Sequence, residues 1–203
     1  MYIFVPVTLA KSIVSASSAP LFFNPLLWLR RLRKRRGYGV HSPFAFGFIT
    51  GVVYEHTPYY AYAGLVHRHP LWMRLPGFRP IPRYRLLFRL ANFAEARTVS
   101  FVGRLPLERE YVCAAVPRAE VVDGVADFVL VDGERIADAI PLASSMPTKG
   151  MLVVEGIHRS ASALDTWKAI EGDANTCVTF DLYDYGIAFF DHRLTKQHYV
   201  VNF

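Results

Sequence analysis

Two acidic residues follow apolar runs in the C-terminal half of the chain. Asp132 comes after the run FVLV, and Glu155 comes after LVV. If these runs are neighbouring parallel strands, both carboxylates lie at one edge of the sheet, where they can hold Mg²⁺ together with substrate oxygens. His158, just beyond them, can act as a general base if a substrate reaches it. The plainer alternatives are that each acid begins an acid–glycine turn and that the histidine is solvated.

The remaining reactive side chains form no cluster in the sequence. Cys113 and Cys177 are far apart and belong to no CxxC pattern, which argues against a disulfide framework or a zinc site. His67 and His69 flank Arg68 without acidic residues or cysteines close by, so no metal site is predicted there. Unpaired cysteines are typical of a reducing compartment, and we expect a cytoplasmic protein.

Strand-like and helix-like segments alternate from Arg83 onward, which predicts an α/β fold around a mostly parallel sheet. An amphipathic helix begins this region. The predicted later helices are 108–116, 134–144 and 161–171, and the predicted strands are 98–102, 120–123, 128–131, 151–154, 177–181, 187–190 and 199–201. The last three strands lack helix-length gaps, so they should pair through tight connections, with a turn at Tyr185 and Gly186, and make an antiparallel edge.

Residues 1–82 form an N-terminal extension rich in aromatic residues and proline, which we expect to cover one face of the domain formed by residues 83–203. All of the excess positive charge lies in one short run of this extension: Arg30, Arg31, Arg33, Lys34, Arg35 and Arg36. The rest of the chain has equal numbers of basic and acidic residues, which is unlike a nucleic-acid-binding face. The run is either a solvated helix end or a contact with an anionic membrane surface. The oligomeric state is left open.

Several stretches resemble a bacterial group within the class I S-adenosylmethionine-dependent methyltransferase-like family, of the O-methyltransferase type. In chain order they are GYGVHSPFAF (Gly37–Phe46), YRLLFRLANF (Tyr84–Phe93), DFVLVDG (Asp127–Gly133), TWKAI (Thr166–Ile170), VTFDLYDYGIAFF (Val178–Phe190) and KQHYVVNF (Lys196–Phe203). The resemblance implies a Rossmann-like sheet of the seven-stranded type with an antiparallel C-terminal hairpin. It also implies an ancestral site at the carboxyl ends of the central strands.

In that family the first strand ends in an acidic residue and leads into a glycine-rich turn, because the backbone passes close to the cofactor. The corresponding segment here is VSFVGRLPLERE, Val99–Glu110. Gly103 matches the first glycine and is the candidate cofactor contact, although a glycine after a strand is often only a turn. Phe101 replaces the acidic residue, Leu107 replaces the second glycine, and Arg104 adds positive charge. The chain therefore resembles a degenerate member.

The family's second strand ends in an acidic residue that accepts hydrogen bonds from the ribose hydroxyls, and Asp123 is the candidate for this role. Asp123 lies only four residues before Asp127, where the fourth-strand motif of the family begins. A parallel crossover needs about a dozen residues or more. We therefore expect either one continuous strand or a tight antiparallel corner, with Asp123 as a turn residue. The portion that forms the adenine wall is missing from this shortened cofactor half.

The resemblance implies S-adenosylmethionine as cofactor and methyl transfer to a small hydroxylated acceptor. Asp132, Glu155 and His158 are then the catalytic candidates, because related catechol-type enzymes use the first two positions for a divalent metal or to orient a hydroxyl. The alternative function is a non-catalytic binding or structural module that keeps the fold. The altered turn after the first strand and the missing elements favour this alternative on mechanism.

Overall fold

The computed structural model describes residues 40–69 and 80–203. They form an α/β fold with seven strands in one sheet: β1 (Thr98–Val102), β2 (Glu120–Val121), β3 (Phe128–Val131), β4 (Met151–Glu155), β5 (Val178–Asp181), β6 (Tyr185–Phe189) and β7 (Gln197–Val200). The helices are α1 (Pro43–Phe48), α2 (Ala61–Arg68), α3 (Pro80–Ala94), α4 (Pro106–Ala115), α5 (Ala139–Ser145) and α6 (Ala161–Gly172). A π-helical segment, Ile49–Val53, continues α1, and a 3-10 helix, Gly133–Asp138, precedes α5.

The strand order is β2-β1-β3-β4-β6-β5-β7. β6 is antiparallel to β4 and β5, and the other neighbouring strands are parallel, which confirms the mostly parallel sheet with an antiparallel hairpin. Two details of the predicted edge are wrong. Tyr185 and Gly186 belong to β6, and the turn is formed by Leu182–Asp184. β7 is parallel to β5, because residues 190–196 lead the chain back to the start of β5 before it runs along that strand.

The link between β2 and β3 differs from both expected arrangements. The two strands lie on opposite sides of β1 and both run parallel to it, so that Val121 and Phe128 flank the same residue, Val99. Residues 122–127 suffice for this crossover because β2 has only two residues, and the chain has little length to retrace. The Asp127 carboxylate fixes the return by accepting hydrogen bonds from the Arg97 and Thr98 amides, both at 3.0 Å.

The buried strands separate two apolar clusters, as alternation of side chains along a strand requires. Phe128 and Leu130 point into the larger cluster with α1, α3 and α4, whereas Val129 and Val131 point into the smaller one with α5 and α6. In the larger cluster Phe48 of α1 packs on Phe180 of β5, with a ring-centroid distance of 4.6 Å. The central strands are therefore covered on both faces, which leaves their carboxyl ends as the exposed edge of interest.

Arg89 ties the segment after α1 to α3. Its side chain is buried and donates hydrogen bonds to the carbonyls of Val52 (2.7 Å) and Val53 (2.9 Å). These carbonyls lie at the end of the π-helical segment, where the backbone lacks helical partners. The predicted amphipathic helix corresponds to α3, whereas the basic run 30–36 lies outside the described residues. Within the described part of the chain, no helix combines the length and apolarity needed to cross a membrane.

Candidate functional site

The carboxylate of Asp132 is held by backbone amides at the carboxyl end of β3. Its Oδ1 accepts a hydrogen bond from the Glu134 amide at 3.0 Å, and its Oδ2 accepts one from the Arg104 amide at 3.1 Å. The first bond caps the 3-10 helix, and the second joins the turn after β1 to the turn after β3. Asp132 is thus located at the predicted strand end, with its carboxylate engaged by the chain itself.

Gly103 lies against this same side chain. Its φ of +103° is in a region that favours glycine, and a Cβ built on it would lie 2.5 Å from Cβ of Asp132. Such a contact is far inside van der Waals distance. Glycine is therefore required at position 103 because the side chain of Asp132 lies so close to its backbone.

Glu155, at the end of β4, forms an ion pair with Arg83 of α3. The Arg83 Nε also lies 3.6 Å from Asp184 Oδ2, and the guanidinium is 5.2 Å from the centroid of the Tyr185 ring. The side chains of Arg83 and Glu155 are less than one-fifth exposed. Burial raises the pKa of Glu155, and Arg83 opposes that rise. One guanidinium therefore neutralises carboxylates from two strand ends.

Glu108 is a buried carboxyl group in the first turn of α4. Burial, followed by the nearby negative charge of Glu155, raises the pKa of Glu108 to about 7. Tyr185 is fully buried, and burial is also the main cause of its raised pKa. We call Arg83, Glu108, Asp132, Glu155, Asp184 and Tyr185 the strand-end cluster. It contains four carboxyl groups and one arginine, so burying all its charges at once is unfavourable.

His158 lies in the turn after β4 and pairs with Asp181 at the end of β5. The distance from His158 Nε2 to Asp181 Oδ2 is 2.7 Å, and the imidazole stacks on Tyr183 with a centroid distance of 5.1 Å. The Asp181 Oδ1 accepts a hydrogen bond from the Tyr183 amide at 2.8 Å. The positive φ of Tyr183, 74°, belongs to the tight turn that makes this arrangement possible. His158 is therefore oriented by a carboxylate.

The chain was compared with protein families, curated proteins and solved structures. No family model matches, and no curated protein matches significantly. Among solved structures, cofactor-bound Rv0187 from MTB matches with a TM-score of 0.37 and 15% identity, covering 64% of this chain and 88% of that one. The SAH-bound Podospora anserina methyltransferase PaMTH1 matches with a TM-score of 0.39 and 8% identity, covering 73% and 96%. Likenesses of this size concern the coarse fold and carry no information about activity.

Asp123, the candidate ribose contact, is exposed in the loop that follows β2. β2 is at the edge of the sheet, so no strand lies beyond it among the described residues. Among all the residues that the structure describes, no three histidine, cysteine, aspartate or glutamate residues are grouped as a metal site would require. The strand ends thus bring Asp132, Glu155 and Gly103 together. Asp123 lies instead at the edge of the sheet, after β2, and His158 lies on the side of β5.

Sequence reasoning did not find Arg83, Glu108 or Asp181. Arg83 is one of three arginines in a single helix, and Glu108 is the first of three charged residues in a row, so neither has a distinctive local pattern. Asp181 ends an apolar run, as Asp132 and Glu155 do, and this signal could have identified it. In the turn after β1, Leu105 is buried and Leu107 packs against the larger cluster.

Proposed function

We propose that this chain is a methyltransferase-like protein in which the strand-end cluster occupies the position of the cofactor site. Its function is then that of a binding or structural module. The observation that carries the proposal is the pairing of Glu155 with Arg83, which also reaches Asp184. A cofactor or a metal ion that used Glu155 would have to break the buried ion pair between Glu155 and Arg83, which is costly.

The turn after β1 supports the same proposal. In a functional site, the glycine makes room for the cofactor, whereas here Gly103 makes room for Asp132. Phe101 and Leu107 cannot supply the polar and close backbone contacts that the family pattern requires at their positions. Each lost charge-assisted hydrogen bond removes roughly 1.5–3 kcal/mol. Arg104 also repels the sulfonium group of S-adenosylmethionine.

The short link between β2 and β3 supports it independently. Residues 122–127 replace the helix, strand and helix that form the adenine wall in the family. Apolar burial of the adenine, worth about 25 cal/mol per Å², is reduced accordingly. Asp123 offers one ribose contact, which cannot offset these losses. We therefore expect S-adenosylmethionine to bind no more tightly than about the millimolar range, or ~4 kcal/mol.

Calorimetric titration with S-adenosylmethionine and S-adenosylhomocysteine tests this proposal. We expect no saturable binding of either compound below about 1 mM. Asp123→Ala is the informative variant because the residue is exposed, and Asp165→Ala on α6 is its matched control, with the same charge change at another exposed position. Low-micromolar binding that Asp123→Ala abolishes and Asp165→Ala preserves would contradict the proposal.

The pairing of His158 with Asp181 favours a second candidate, methyl transfer from S-adenosylmethionine to a small hydroxylated acceptor. A carboxylate that orients an imidazole is the usual support of a general base, which here would take the hydroxyl proton. Transfer of labelled methyl groups to catechol-type acceptors tests this candidate. It requires a signal that His158→Gln removes and that the control His198→Gln leaves intact. The absence of any transfer would reject it.

A further inference from the structure

A second polar arrangement lies away from the strand-end cluster, at the start of β5. Cys177 Sγ is 3.5 Å from His192 Nδ1, and His192 Nε2 is 3.2 Å from Asn175 Oδ1. A thiol, an imidazole and an orienting amide thus stand in line, in the order that nucleophilic catalysis by cysteine requires. None of these residues takes part in the proposed function above.

The hydrogen bonds of Asn175 determine where the protons lie. Its Nδ2 donates to the carbonyls of Ala143 (2.8 Å) and Met146 (3.1 Å), so the amide nitrogen faces these two acceptors and Oδ1 faces His192. Since Oδ1 can only accept, the Nε2 of His192 must be the donor of that bond. In the neutral imidazole Nδ1 is then an acceptor that faces the Cys177 thiol at 3.5 Å, and the Asn175 backbone carbonyl oxygen, at 3.6 Å, is the second acceptor near that thiol.

The backbone that carries the thiol is held by the sheet. The Cys177 amide donates to the Phe189 carbonyl at 2.9 Å, and the Cys177 carbonyl accepts from the Gln197 amide at 3.0 Å, so the residue is held on both sides by the sheet. Burial raises the pKa of this thiol, the negative charge of Asp191 adds to the rise, and Lys196 opposes it. The thiol therefore stays protonated near neutral pH and needs a base to react.

An open cavity lies close to the arrangement in the chain without including its three residues. Val178 and Arg193, which directly follow Cys177 and His192 in the chain, line this cavity of about 360 Å³, whereas Cys177 and His192 are not among its lining residues. Leu194 and Gln197 contribute to the same wall. This volume is in the range of small-molecule sites.

We propose that Cys177 is a nucleophilic thiol that reacts with small soft electrophiles, with His192 as its general base and Asn175 as a positioning residue. The sulfur forms a bond to the electrophilic carbon, and the leaving group departs with its electron pair. The S–H proton moves to Nδ1 of His192. The reaction needs no oxidant or reductant.

Alkylation by iodoacetamide tests the proposal, in a Cys113→Ser background that leaves Cys177 as the single thiol. We expect the rate of the folded protein to change little between pH 7 and 9, because the imidazole of His192 takes the thiol proton and no preformed thiolate is needed. His192→Gln, at an exposed position, should lower the rate at pH 7 by about ten- to hundredfold. Its rate should also rise about tenfold per pH unit, as expected when reaction requires a preformed thiolate.

The matched control is His198→Gln, which removes a histidine that contacts Thr179 on β5 instead of Cys177. This variant should keep the rate and the pH profile of the Cys113→Ser protein. In urea, all three proteins should show the same steep pH profile, since the effect of His192 depends on the fold. An unchanged rate and profile in His192→Gln, or a folded thiol that iodoacetamide does not alkylate, would overturn the proposal.

Discussion

At the scale of single residues, Arg83 determines the chemistry of the strand ends. It is the positive charge that faces both Glu155 and Asp184, although it comes from a helix more than seventy residues earlier in the chain. Removing one partner of a buried pair leaves the other charge without compensation, which costs more than the pair contributes when it is intact. The stability of this region therefore depends on a residue with no distinctive sequence pattern.

We expect Arg83→Gln to lower the free energy of unfolding by about 2–3 kcal/mol at pH 7, below the figure for a fully buried pair because the side chains keep some exposure. Urea denaturation measures this change. Arg159→Gln is the control, since Arg159 pairs with Glu134 at 3.6 Å and both side chains are more than 40% exposed. The control should change stability by less than about 0.5 kcal/mol. Equal effects of the two substitutions would contradict this account of Arg83.

Glu108 should make the stability depend on pH. Its pKa is raised to about 7 in the folded protein, so the folded state binds more protons than the unfolded chain between about pH 4.5 and 7. Its contribution is complete below that window and is lost as the pH rises through 7. Glu108→Gln removes the buried charge, and we expect it to be about 2–3 kcal/mol more stable than the parent at pH 8 and no different at pH 4. Denaturation at both values checks the sign.

The candidate site could be predicted in part. Asp132 and Glu155 were placed correctly on adjacent strand ends, because an acidic residue after an apolar run is a local pattern. The partners of Glu155 and His158 could not be predicted. Arg83 meets Glu155, and Asp181 meets His158, only once the chain has folded. These partners decide whether a carboxylate is available to a ligand or is already paired.

At the scale of elements, β6 is fitted to α6 through a glycine. A Cβ built on Gly186 would lie 2.6 Å from the ring of Trp167, which is buried in the smaller apolar cluster. A buried indole ring cannot move aside as the end of a flexible chain can. The close packing of strand on helix therefore requires glycine at this position.

Gly186→Ala should lower the free energy of unfolding by about 2–3 kcal/mol through overpacking. The control is Gly47→Ala in α1, where no neighbouring atom lies within 4 Å of the added Cβ. Alanine favours helix, so this variant should gain up to about 1 kcal/mol. Thermal melts of the two proteins should move in opposite directions, and a Gly186→Ala protein as stable as the parent would disprove the packing argument.

The strands were the most predictable elements. β1 and β3 have the predicted bounds, because both are short runs rich in β-branched and aromatic residues, which favour strands. The connection between β2 and β3 was predicted wrongly because the minimum crossover length applies to strands of ordinary length. After a strand of only two residues, the chain needs far fewer residues to return to the start of the next parallel strand. The position of β7 also depends on pairing across the sheet and has no signal in its own sequence.

At the scale of the whole molecule, the two sides of the sheet differ in completeness. On one side, β5 and β6 form a buried hairpin with α6 packed against it, and β7 extends the edge. On the other side, the sheet ends at the two exposed residues of β2. Under the function proposed above, the cofactor of a methyltransferase-like fold would lie on the second side. The buried packing is thus concentrated on the first side, while the second side ends in a strand of two exposed residues.

The distribution of charge over the whole chain leads to a last prediction. Six of the 23 basic residues lie in the run 30–36, next to the apolar residues Leu26, Leu27 and Trp28, and the remaining 17 equal the acidic residues in number. Any binding to phosphatidylserine vesicles at low salt should depend on this run, with each basic residue contributing about 1 kcal/mol near the surface. Replacing four arginines of the run with glutamine should weaken co-sedimentation at least tenfold, and high salt should weaken it in the parent protein.

The same change of net charge at exposed positions elsewhere is the matched control: Arg97→Gln, Arg104→Gln, Arg118→Gln and Lys149→Gln together. If overall charge alone drives adsorption, both sets of substitutions reduce binding equally. If the run is a localised contact, only its own substitutions do so, because charges more than a Debye length from the surface are screened. No vesicle binding at low salt, or equal loss in the two variants, would reject the membrane contact.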